Sequence, residues 1–162
     1  MRDLNVKGAV LSFLVAKGFN DLQVPHQAMT MTRVAAACAR DAEHPGLIAL
    51  TDGLKSLIAY WAERPEDAHH YARQGAETAA QLRGTVGLWL LGLQARAAAA
   101  MGDEATVRDL NQRAADRRDR VMSARRVRRA LVAGRAQDAV AARNLRAEIE
   151  AFPASRPALP RG

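Results

Sequence analysis

Few residues in this chain have types and spacings suited to chemistry, and most of them resolve into structural duties. His69 and His70 are adjacent, so on a helix they point about 100° apart and cannot chelate one metal as an i, i+4 pair would. His26 and His44 each stand beside a proline turn and read as solvated side chains. Adjacent carboxylates occur as Glu66-Asp67 and Asp103-Glu104, both at expected helix starts. Dipole compensation and capping explain acids there without acid–base catalysis. The glycines from Gly84 to Gly92 lack the Lys-Ser/Thr ending of a phosphate loop. The single cysteine, Cys38, excludes an internal disulfide and a cysteine-based zinc site. It reads as a small core residue, with a reactive thiol as the alternative. No enzyme, cofactor or metal is expected from this inventory.

Two constellations remain. Tyr60, Trp61, Trp89 and Arg96 fall on helices that a stacked-hairpin arrangement would turn toward one groove. They would give it aromatic walls and one fixed cation, suited to a peptide carboxylate, an amphipathic small molecule or a protein partner. The same residues allow a plainer reading. The tryptophans would fill space between hairpins, and Arg96 would pair with an acid such as Asp52 or Asp103. The second constellation is the run RRDRVMSARRVRR. On a continuous helix Arg117, Arg118, Arg125, Arg128 and Arg129 share roughly a third of the circumference, close enough to follow phosphates or an acidic partner. Asp116 and Asp119 partly neutralise its start, and no aromatic lies within it, so a solvated face competes with nucleic-acid contact.

The elements that must carry these residues are helices. Ala, Leu and Arg dominate, and aromatics are 4% of the chain, which favours helix nearly everywhere and a core of small, closely approaching side chains. Turn signals fall at Lys17-Gly18-Phe19-Asn20, His44-Pro45-Gly46, Glu63-Arg64-Pro65, Arg83-Gly84-Thr85 and Gly102-Asp103. The helix opened by Pro65 has one small-residue stripe through Ala68, Ala72, Gly75 and Ala79. The helices on either side, Leu47 to Trp61 and Leu88 to Met101, are apolar on more than one side. Such alternation is what a solenoid of helical hairpins requires, because each inner helix touches its own partner and the next hairpin. Ala68, Ala72 and Gly75 can be laid over Val107, Asn111 and Ala114, and over Ala28, Thr32 and Ala35. The chain is therefore expected to be all-α, a tetratricopeptide-like solenoid of about eight helical segments over residues 1–151, with a disordered tail over 152–162.

The stretches HPGLIALTDGLKSLIAYWAERPEDAHHYARQGAE, RGTVGLWLLGLQARAAAAMGD and RAADRRDRV give a further lead. The segment from about Val6 to Val121 resembles the tetratricopeptide-like C-terminal region of actinobacterial XRE-type helix-turn-helix transcriptional regulators. The resemblance implies a ligand-sensing or dimerising module that follows a DNA-binding domain. The few residues before Val6 leave no room for a helix-turn-helix, so operator binding in the family's manner is not expected of this sequence. The arginine-rich residues after Val121 depart from the family's acidic, aromatic-containing continuation.

Charge and hydropathy narrow the setting. The net charge is +7 over 162 residues, yet Met1 to Val107 holds 10 Lys/Arg against 11 Asp/Glu. Arg108 to Gly162 holds 14 Arg against 6 acids, so basicity belongs to the C-terminal third. Val86 to Met101 is shorter than the roughly 20 residues of a membrane span and contains Arg96. No secretory leader is evident, and a cytoplasmic location is expected. The leading expectation is a non-enzymatic binding, sensing or dimerising module. A stand-alone adaptor or nucleic-acid-associated protein, using the arginine-rich helices, is the alternative.

Overall fold

A computed structural model describes residues 1–82, 84–123, 129 and 143. Every regular element among them is α-helical: α1 (Arg2–Asp21), α2 (Pro25–Asp41), α3 (Pro45–Trp61), α4 (Pro65–Thr78), α5 (Val86–Ala100) and α6 (residues 104–123). Contacts divide the chain into two units, Met1–Val121 and Met122–Gly162. The first holds α1 to α5 and nearly all of α6. In the second, the described Arg129 and Arg143 are helical and exposed. The helix expected after Gly134 and the tail expected after residue 151 lie outside the described residues.

Three helices start on a proline, Pro25, Pro45 and Pro65, twenty residues apart. At the first helical position proline loses no hydrogen bond, and its ring holds φ near the helical value. The helices before them end alike. Gln23, Glu43 and Glu63 take φ of 59°, 48° and 57°. In each case the next N–H reaches back over the last turn: Val24 to Phe19 O at 2.9 Å, His44 to Ala39 O at 3.0 Å, Arg64 to Ala59 O at 3.0 Å. These are Schellman turns, in which a left-handed residue lets the orphan carbonyls of the helix end find donors. The α5–α6 link is the same turn with Gly102 at φ 75° and Asp103 N bonded to Ala98 O at 3.0 Å. Four links between successive helices thus use one repeated turn, and the α4–α5 link is built differently.

The first break differs from the sequence expectation. Gly18 does not end α1, which runs through it to Asp21. A glycine inside a helix costs only about 1 kcal/mol, and the stronger signals are the Gln23 turn and Pro25.

Consecutive helices pack as neighbours, α1 on α2, α2 on α3, α3 on α4 and α4 on α5. In addition α3 touches both α1 and α5. No packing of α2 on α4 occurs among the described residues. Helix α3 therefore meets four neighbours, which is why Ala49, Thr51, Asp52, Gly53, Leu54, Ser56, Ile58 and Ala59 are all buried. Helix α5 is buried on two sides through Gly87, Leu90, Leu91, Leu93, Gln94, Ala97 and Ala98. Helix α4 buries only Ala68, Ala72 and Gly75.

Small residues let these axes come close. A Cβ on Gly75 would lie 2.8 Å from Leu90 Cδ2 and 3.1 Å from Ala49 O, so α3, α4 and α5 meet around a residue without a side chain. Two arginines tie helix ends across the fold. Arg2 Nε donates to Ala42 O at the end of α2 (3.0 Å), and Arg117 donates to Ala79 O at the end of α4 (2.9 Å). A guanidinium suits the negative end of a helix dipole and supplies the missing donors.

Candidate functional site

The site begins with two glycine-spaced helices. Helix α3 carries Gly53 and Tyr60, and α5 carries Trp89 and Arg96, each pair seven residues apart. Seven residues are nearly two turns, so each pair lies on one helix face. The Trp89 ring sits on Gly53, where a Cβ would come within 2.4 Å of its Cζ3 and Cη2 atoms. Two turns along, the Arg96 guanidinium lies over the Tyr60 ring, 4.7 Å from its centroid. Both contacts join positions 36 residues apart in sequence, so α3 and α5 run in the same direction along this seam. Tyr60 also meets Trp61 edge-on at 5.5 Å, and Trp61 is 58% exposed.

Between Trp89 and Arg96 the α5 surface is low. Gly92 is exposed, and a Cβ there would touch nothing within 4 Å. One face of α5 therefore reads ring, gap, cation, with Tyr60 and Trp61 beside it. The two acids that could have paired with Arg96 are engaged elsewhere. Asp52 takes the Lys55 ammonium at 2.8 Å, and Asp103 Oδ1 accepts from Thr106 N at 3.0 Å. Among the described residues Arg96 has no carboxylate at ion-pair distance; its contact is the Tyr60 ring. A guanidinium over a ring face forms no hydrogen bond to it, so its N–H groups can still donate to a planar anion such as a carboxylate.

The arginine run separates. Arg117 turns inward: one terminal nitrogen donates to Ala79 O at 2.9 Å and Leu82 O at 3.1 Å. Its guanidinium occupies the space above Gly87, where a Cβ would be 2.4 Å from Cζ. Its Nε is buried without a hydrogen-bond partner. Arg118 faces solvent and pairs with Asp119 at 3.2 Å. Arg129 is exposed, and Arg125 and Arg128 lie outside the described residues. Arg117 and Arg118, neighbours in sequence, thus do different work.

One concavity was not anticipated. A cavity of about 310 Å³ is lined by Arg40 of α2, Ile48, Asp52 and Lys55 of α3, and Gln74, Glu77 and Thr78 of α4. It lies roughly 120° round α3 from the Gly53–Tyr60 face. The Asp52–Lys55 pair, nearly buried, lines it, and the Lys55 ammonium stands 5.7 Å from the Tyr71 ring centroid. Three separate helices contribute, so no local motif marks it. The only sequence signal was an Asp and a Lys, three apart, inside an apolar helix.

Among the described residues two groups titrate away from their ordinary values. Burial, and then Arg73, hold the His69 imidazole below 6.5, against the pull of Asp103. The Asp103 carboxyl lies below 3.8 because Thr106 donates to it from side chain and backbone. Both belong to the α5–α6 linker and its neighbour α4 rather than to a reacting site. Cys38 is half-buried, its Sγ turned to Gly8. Among the described residues no group of three or more His, Cys, Asp or Glu is placed to hold a metal ion, and no helix is long and apolar enough to cross a membrane.

No family model matches the chain, and neither a curated protein nor a solved structure does.

Proposed function

We propose that this chain is a non-enzymatic binding module, its helices stacked as tetratricopeptide-like hairpins, and that the α5 face is where it binds. The observation that carries this reading is Arg96, stacked on Tyr60 without a carboxylate partner among the described residues. The low step at Gly92 and the exposed Trp61 lie beside it. A partner that fits presents a carboxylate next to an apolar group, as a peptide C-terminus or an amphipathic acid does. Such a module suits a sensing role in a regulator-like protein. The constant 36-residue offset along the α3–α5 seam favours stacking of like units. The reading through the arginine-rich helices has weaker support, because Arg117 is engaged inside the fold and Arg118 is paired.

The test is a binding screen of C-terminal peptides and amphipathic acids against wild type, Arg96→Gln and Trp61→Ala. Any hit at this face should weaken about tenfold or more in Arg96→Gln, as expected when a charge-assisted hydrogen bond is lost. Amidation of the carboxylate should have the same effect. Equal binding by wild type and a folded Arg96→Gln protein removes the proposal.

A further inference from the structure

Helix α1 leaves an apolar stripe open to solvent. Leu4 is 66% exposed, Leu11 63%, Leu14 58%, Val15 46% and, just past the helix end, Leu22 73%. At 100° per residue these five fall within about 100° of one another. The stripe is nearly opposite Ala9 and Ala16, the residues that α1 buries within the fold. Val10, 39% exposed, flanks it. Together these side chains expose on the order of 600 Å² of apolar surface, the upper end of what a monomer ordinarily leaves open.

We propose that a second copy of this chain covers the stripe, α1 against α1, antiparallel about a two-fold axis between Leu11 and Leu14. This goes beyond the reading above and does not depend on the α5 face. Three observations favour a like partner. Doubling the patch gives on the order of 1,200 Å², the lower bound for a specific interface and that of a weak, reversible dimer. The stripe is self-complementary when reversed: Leu11 meets Leu14 of the second copy, and Leu4 reaches Leu22. The one charge within the stripe, Lys7, falls opposite Gly18, where a Cβ would touch nothing within 4 Å. Its stem can lie over that glycine while its ammonium joins Asp21 of the second copy, whose exposed carboxylate also takes the Lys17 ammonium of its own helix.

The experiment is sedimentation of the full chain from about 10 to 500 µM, the range in which an interface of this size exchanges. Wild-type mass should climb from one chain toward two. Leu11→Glu/Leu14→Glu should stay at one chain throughout, with unchanged helical circular dichroism, since both side chains are exposed. Lys7→Glu or Asp21→Lys alone should raise the dissociation constant at least threefold, and the double reversal should recover it. A wild type at one chain mass throughout overturns the proposal, as does a leucine variant that associates as wild type does. Should that variant lose its helical signal, recovery in the double reversal decides, and its failure overturns the proposal. Arg96→Gln, which bears on the α5 face, should leave the mass profile unchanged.

Discussion

Two seams in this fold are built on the same device and end differently. At the α3–α5 seam a tryptophan covers Gly53, and at the meeting of α5 and α6 an arginine covers Gly87. The arginine is closed in, its terminal nitrogen shared between two carbonyls at 2.9 and 3.1 Å. The tryptophan seam stays open on one side, where Arg96 lies on Tyr60 and Gly92 has no neighbour. A glycine brings two elements close in both cases. What differs is whether the guanidinium beside the seam finds acceptors inside the fold. Arg117 does and becomes a brace, whereas Arg96 rests on the Tyr60 ring with no carboxylate partner among the described residues.

The contrast between the two seams breaks most readily at the brace. Arg117→Ala should destabilise by about 3 kcal/mol, because two carbonyls lose a charged donor and a packed side chain disappears. Arg117→Lys should recover only part, since a single ammonium cannot reproduce the planar fork. Urea unfolding followed by circular dichroism measures both, and a loss under about 0.5 kcal/mol, the range of an ordinary surface substitution, would show the brace to be idle.

Next comes the open seam. Gly53→Ala should destabilise by about 2 kcal/mol through the clash with Trp89. Combined with Trp89→Ala, the alanine should cost less than it does alone. The cycle should therefore be non-additive by about 1 kcal/mol. Additive effects would mean that the ring swings clear without resistance.

A smaller effect sharpens the same point in the linkers. Glu63 holds φ 57° where Gly102 holds 75° in the matching turn. Glu63→Gly should stabilise by about 0.5–1 kcal/mol, and Gly102→Ala should destabilise by about 1 kcal/mol, both read from unfolding midpoints.

The smallest effects are in pH. The His69 imidazole is lowered, so the folded state takes up its proton less readily than the unfolded chain does. Its contribution is complete above 6.5 and falls as the pH drops below that value. The lowered Asp103 carboxyl acts in the same sense further down, complete above 3.8 and lost as the pH falls through the folded value. Melting temperatures of His69→Gln and wild type should converge as the pH falls from about 7 to about 5; parallel curves would exclude a role for His69.

Much of the helical framework was legible from local chemistry. Pro45, Pro65 and Gly102 marked turns because each acts on its own backbone. The alternation of one-sided and many-sided helices was visible because burial on two faces demands apolar residues on both. The first turn was misplaced at Gly18, since a lone glycine is a weak stop, while Pro25 and the twenty-residue spacing of the three prolines carried the sounder signal. Tyr60 and Arg96 were named together as groove residues, and the structure brings them into contact. Arg117 was counted with Arg118 because helix periodicity places both in one sector. Periodicity takes no account of a carbonyl-rich helix end waiting at Ala79 and Leu82. The cavity over Asp52 and Lys55 was invisible for a similar reason, as its walls come from three helices.

The sequence alone determined that the chain is helical, where most helices stop, and which stretches are too apolar to face water on all sides. These follow from backbone preferences and solvation, which act within a few residues. Tertiary structure decided which arginine is a brace and which rests on a ring, which glycine sits beneath a ring, and that α1 keeps a greasy stripe exposed among the described residues. The arginine and ring placements depend on what arrives from 30 or more positions away, and no local preference encodes the arrival.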